Sequence, residues 1–121
     1  MPSSFYQLAI DCHDPHMLAR FWAAVLGQPI LYEADDEVIV GADKHAYPGL
    51  VFGPVPEGKT VKNRLHIELD PDDQAAEVER LLALGARPAD VGQGDDVSWV
   101  VLADPEGNEF CVLRPHRSLI D

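Results

Sequence analysis

The hydrophobic pattern of this chain passes through one order of periods and then passes through it again, which limits the fold more than any single motif does. FYQLAID alternates as a strand does. DPHMLARFWAAVLG then sets Met17, Leu18, Phe21, Trp22, Val25 and Leu26 on one helical face, opened by Asp14 and Pro15 and closed by Gly27. PILYEA, EVIVGAD and GLVFGPV read as three short strands between turn residues. After the polar connector PEGKTVKN the order restarts. RLHIELD predicts a strand, and DDQAAEVERLLALG predicts a helix with Ala75, Val78, Leu81 and Leu82 inward and Gly85 at its end. RPADV, VSWVVLAD and NEFCVLRP predict three more strands, with the DPEGN turn before the last. Each half reads βαβββ.

An offset of 59 residues lays Gln7 on His66, Asp11 on Asp70, Pro29 on Pro88 and Phe52 on Cys111. The 121 residues suit one domain, 1–121, with a first module over about 4–55, a connector over about 56–63 and a second module over about 64–115. The expected class is α+β, two tandem modules whose curved mixed sheet surrounds a cleft while helices cover the outer faces.

Alternation assigns side chains to that cleft. In the first strand Tyr6, Leu8 and Ile10 go under a helix and Phe5, Gln7, Ala9 and Asp11 face the other way. In the second module Leu65, Ile67 and Leu69 go under the helix, while Arg64, His66, Glu68 and Asp70 face inward. Phe110 and Val112 pack outward, leaving Glu109, Cys111 and Leu113 inward, and Trp99 shares the inward face with Val97 and Val101. By the 59-residue offset Phe52 also faces inward.

Charge and composition narrow the partners. Nine basic against 21 acidic residues give a net charge of −12, which opposes nucleic acid and anionic membrane surfaces and favours a cationic small molecule. No apolar run has the length of a membrane span, and MPSSFYQLAI lacks the pattern of a secretory signal, so a cytoplasmic location is the default expectation. Cys12 and Cys111 fall in no paired metal motif, and a disulfide between them is not favoured in a reducing compartment. His13 and His16 lie in the strand-to-helix turn DCHDPH, where Asp14 is accounted for as an N-cap.

The paired βαβββ halves, the DPHMLARFWAAVLG helix, LHIELD opening the second half and DPEGNEFCVL closing it resemble the vicinal oxygen chelate superfamily. That superfamily includes glyoxalase I, extradiol dioxygenases and bleomycin-resistance proteins, and the likeness is strongest to its small glyoxalase-like members. The resemblance implies a homodimer and, in metal-using members, a divalent ion held from the first, fourth, fifth and eighth strands. Those positions are Gln7, Phe52, His66 and Cys111 here. A phenyl ring donates no lone pair, so the complete four-ligand set is absent, leaving Gln7, His66 and Cys111 for zinc, nickel, manganese or iron. Glu68 and Glu109 stand about 7 Å along their strands from His66 and Cys111 and would require a different geometry.

Two function classes remain open. His66 with Glu68 or Glu109 suits general acid and base work in a lyase, isomerase or dioxygenase of the superfamily. A salt-bridge network of Arg64, Glu68, Glu109 and Arg114 accounts for the same residues without catalysis. The favoured reading is a binding protein without a catalytic metal, of the resistance or sequestration type. Gln7, Phe52, His66, Trp99, Glu109 and Cys111 would contact a small cationic or aromatic ligand, with Phe5, Tyr32 and Tyr47 as further aromatic candidates.

Overall fold

The computed structural model describes every residue except Asp95 and Asp121 and divides into two compact units, Met1–Lys59 and Thr60–Asp121. The first unit runs β1 (Gln7–Cys12), α1 (Pro15–Leu26), β2 (Ile30–Ala34), β3 (Glu37–Val40) and β4 (Gly49–Pro54). Its sheet has the order β1-β4-β3-β2, with β1 and β4 parallel and the other pairs antiparallel. The second unit runs β5 (Glu68–Leu69), α2 (Gln74–Leu84), β6 (Arg87–Pro88), β7 (Val100–Ala103) and β8 (Glu109–Val112), and its sheet repeats that topology as β5-β8-β7-β6. Each unit is a βαβββ module, so the class is α+β.

Local chemistry explains both helices. Asp14 Oδ1 accepts the Met17 N–H at 3.1 Å, Pro15 occupies the first turn where no donor is needed, and Gly27 ends α1 in the left-handed conformation. The apolar stripe of α1 buries Leu18, Phe21, Trp22 and Val25, and the Phe21 and Trp22 rings meet edge to face at 5.4 Å. Asp73 caps α2 in the same way, through the Ala76 N–H at 3.0 Å. Of the inward positions expected on α2, Leu81 is fully buried, whereas Leu82 and Ala75 are exposed. Two side-chain hydrogen bonds tie its first turn to the sheet, from Gln74 Nε2 to the Ser98 and Val112 carbonyls.

Strand register corrects one placement. Phe52 lies opposite Val38 and beside Ile10 and is 0% exposed, so it belongs to the buried face shared with Val40 and Leu50, not to the open face. Ala9 pairs with Val51, and Glu68, 59 residues after Ala9, pairs with Cys111. The unit 1 counterpart of Cys111 is therefore Val51. The final strands are related by 60 residues, and a one-residue slip exchanges the two faces of a strand. Large residues at Leu50 and Phe52 between small ones at Gly49, Val51 and Gly53 already carry that signal in the sequence.

The RLHIELD strand also contracts. Only Glu68 and Leu69 are strand, and Leu65 is 80% exposed and not under a helix. Ile67 keeps one ladder bond, accepting the Cys111 N–H at 2.9 Å. Ahead of it the Asn63 N–H donates to Glu109 Oε2 at 3.1 Å, so this segment is tied by a side chain where a ladder was expected. The DPEGN turn is closed by Asp104, 1% exposed, whose Oδ1 accepts the Glu106 and Asn108 N–H groups at 2.9 Å. Gly107, at φ 90°, supplies a conformation that a side chain would strain.

Candidate functional site

The open face of the second sheet brings His66, Glu68 and Cys111 together, the group of His, Cys and acidic side chains found among the described residues. Because side chains alternate, Glu68 projects on the same side as Cys111 and Glu109 of β8 and Val101 of β7, and His66, just ahead of β5, joins them. Together with Trp99 they line a cavity of about 210 Å³. Val91 extends the apolar wall, Lys62 and Gln93 stand at its edge, and Trp99 is 40% exposed. Irregular segments carry Lys62, Val91 and Gln93; Val91 closes the RPADV run, which is strand only over Arg87–Pro88, and no period marked the other two in the sequence.

The electrostatics favour a neutral thiol among carboxylates. Burial, and then the charge of Glu68, push the Cys111 thiol above its ordinary pKa, opposed only by Lys62. At neutral pH Cys111 is protonated and a poor nucleophile. His66 Nε2 stands 3.8 Å from Glu68 Oε2, an ion-pair separation too long for a hydrogen bond. One Glu109 oxygen is occupied by the Asn63 N–H, which holds the carboxylate in place at the cavity wall.

These residues include a donor set for a metal. One ligand atom each from His66, Glu68 and Cys111 lies within 4.8 Å of the others. An imidazole, a carboxylate and a thiolate are a donor set that suits zinc. Glu68 takes the place in this group that the resemblance gave to Gln7. Gln7 lies in the first unit, where it lines a separate depression, and Phe52 is core. Phe5, Tyr32 and Tyr47 are exposed in that first unit. Cys12 and Cys111 are both buried free thiols.

Two βαβββ modules, each with one sheet face under a helix, define the glyoxalase-type class of α+β folds. The glyoxalase-like domain family matches residues 7–113, and the chain belongs to that family, within the vicinal oxygen chelate superfamily. None of the curated proteins matches the sequence.

Solved structures show the same fold at low identity. An enzyme of the glyoxalase/bleomycin resistance protein/dioxygenase family from Burkholderia phytofirmans is 17% identical with a TM-score of 0.70, covering 94% of this chain and 100% of its own. An antibiotic-binding protein from a Streptomyces species is 21% identical with a TM-score of 0.62, covering 95% and 98%. A fosfomycin resistance protein from Mesorhizobium loti is 15% identical with a TM-score of 0.68, covering 99% and 96%.

Proposed function

We propose that this protein binds a small organic cation carrying a single flat ring in the cavity of its second unit, and that it holds the ligand without converting it. The observation that carries this reading is the composition of that cavity, where Trp99 and Val101 share the lining with the Glu68 and Glu109 carboxylates. A volume of about 210 Å³ is below the roughly 300–1,000 Å³ of drug-sized sites and suits one ring with a charged substituent. The net charge of −12 acts in the same direction. The antibiotic-binding neighbour supports a binding role. A cytoplasmic homodimer belongs to the same reading.

Benzamidine, benzamide and benzoate share one ring and differ in charge, so titrating each against Trp fluorescence tests the proposal. Benzamidine is expected to bind most tightly, and Glu68→Gln or Glu109→Gln to weaken it about tenfold, the loss of one charge-assisted contact. Trp99→Phe identifies the reporter, since Trp22 is buried in the first unit. Equal affinity for the three probes would sink the reading.

The His66, Glu68 and Cys111 cluster supports a second reading, a divalent ion held by the second unit as part of an enzyme site. Those three residues would hold the ion, which when bound supplies Lewis-acid chemistry. Cys111 must first give up its proton, so metal uptake is expected to strengthen as pH rises. Cobalt(II) added to dialysed protein should then give a thiolate absorption band that Cys111→Ser abolishes. Absence of the band at every pH would remove this reading.

A further inference from the structure

The first unit carries a second built depression, of about 200 Å³, that the reading above does not use. Its floor is backbone. Gly41 and Gly49 line it; a Cβ at Gly49 would stand 3.1 Å from the Val40 carbonyl oxygen, a tight contact with backbone, and one at Gly41 would stand 3.1 Å from Leu31 Cδ1, which a side-chain shift can relieve. Three tyrosines belong to its lining. Tyr6 and Tyr47 meet at 5.1 Å between ring centroids with planes inclined by 75°, forming a corner of two rings. Tyr32 lines the same depression from β2, at an irregularity where the pairing passes from Ile30↔Val40 directly to Tyr32↔Ile39 and leaves Leu31 as the extra residue. All three rings are more than half exposed.

Tyrosine rings with their hydroxyl groups, the Gln7 amide and the aliphatic Leu31, Ile39, Val40 and Ala46 make up this lining, with Asp43 as its carboxylate and Lys44 as its basic group. Asp43 Oδ1 already accepts the His45 N–H at 2.7 Å, so its charge reaches the depression while that oxygen is committed. Lys44 is exposed on a flexible stem and can keep its ammonium in solvent. A primary ammonium ion entering here would exchange hydrogen bonds to water for the tyrosine hydroxyl, Gln7 and Asp43 oxygens, an exchange with a small net gain. An ammonium fully substituted with methyl groups has no N–H to satisfy. It gains from contact with tyrosine ring surfaces in the lining and from the acidic surface.

We propose that the depression lined by Tyr6, Tyr32 and Tyr47 is a second binding site, for a quaternary or fully methylated ammonium group held by cation–π contact. It is independent of the Trp99 cavity in residues and in readout.

Choline and 3,3-dimethylbutan-1-ol have nearly the same shape and differ in charge. Titration of each into the 15N-labelled protein reads both sites at once, through the Gly41 and Gly49 amides and the Trp99 indole N–H. Choline should give saturable shifts at the two glycines that the neutral alcohol does not. Tyr47→Leu and Tyr32→Leu should each weaken choline binding about fivefold, whereas Tyr47→Phe, which keeps the ring, should stay within about twofold of the parent. Trp99→Phe should leave choline binding unchanged. The spectrum of each variant reports its folding, and the two leucine variants do not depend on one another. Matching shifts from the alcohol, no saturable shift at the glycines, or loss with Trp99→Phe would each overturn the proposal, whatever benzamidine does at the Trp99 cavity.

Discussion

Phe52 and Val51 show how much turns on one position in a strand. Both are apolar and adjacent, yet Phe52 is in the buried layer with Val38 and Val40, while Val51 stands on the face that bears Cys111 in the other unit. Phe52→Ala is therefore expected to cost about 3–5 kcal/mol in denaturant unfolding, the usual range for emptying a buried phenyl site. Benzamidine affinity of the folded fraction should not move. A loss of ligand affinity with intact stability would put the ring back on the open face. The sequence held enough to place Phe52 correctly, since Leu50 and Phe52 match Phe110 and Val112 in bulk. A constant offset obscured that match because it aligned residue numbers and not side-chain sizes.

At the scale of elements, helices were the more legible part. Both have a side-chain cap, an apolar stripe and a closing glycine, all local signals. Short strands were less legible, because whether RLHIELD pairs along its length depends on what Glu109 does 46 residues away. The link between α1 and β2 had no signal at all. His16 Nδ1 lies 2.6 Å from Glu33 Oε2, and Arg20 Nη2 lies 3.0 Å from the same oxygen.

The hydrogen bond to Glu33, and then the Asp35 carbonyl, raise the His16 pKa; the same His16 contact lowers that of Glu33. A raised histidine contributes stability that is complete below its unfolded pKa and is lost as pH rises through the folded value. A lowered carboxylate contributes stability that is complete above its unfolded pKa and is lost as pH falls through the folded value. The clasp therefore acts between the Glu33 and His16 transitions. Thermal melts of His16→Ala and the parent should differ more at about pH 6 than at about pH 9. A gap that is unchanged or larger at the higher pH would show that the imidazole contributes by packing. Its exposed setting keeps the effect small.

For the whole molecule, the duplicated order of elements was legible because period and punctuation repeat even where residue identities do not. The candidate site was legible in part. His66, Glu68, Trp99, Glu109 and Cys111 line one cavity, with His66 and Trp99 just ahead of the strands that alternation assigned them to, whereas Gln7 and Phe52 lie in the first unit. Spacing brought out the cavity but not the tyrosine depression, which depends on an irregular strand and on backbone left open at two glycines. The charge of −12 belongs to this scale as well, since no single carboxylate produces it. Benzamidine binding should weaken several-fold between about 20 mM and about 500 mM salt as the Debye length shrinks. An affinity that ignores salt would leave only the carboxylates in contact with the ligand as its source of charge recognition.

The 60-residue relation between the closing strands also sets a rule for recombination between the halves. A chimera that exchanges Gly49–Pro54 with its partner segment should be joined so that Glu109 takes the place of Gly49. If the junction is drawn in the 59-residue frame of the opening strands, Cys111 and Glu109 fall into the buried layer and Phe110 turns outward. Such a product would lose its core and its candidate site in the same crossover.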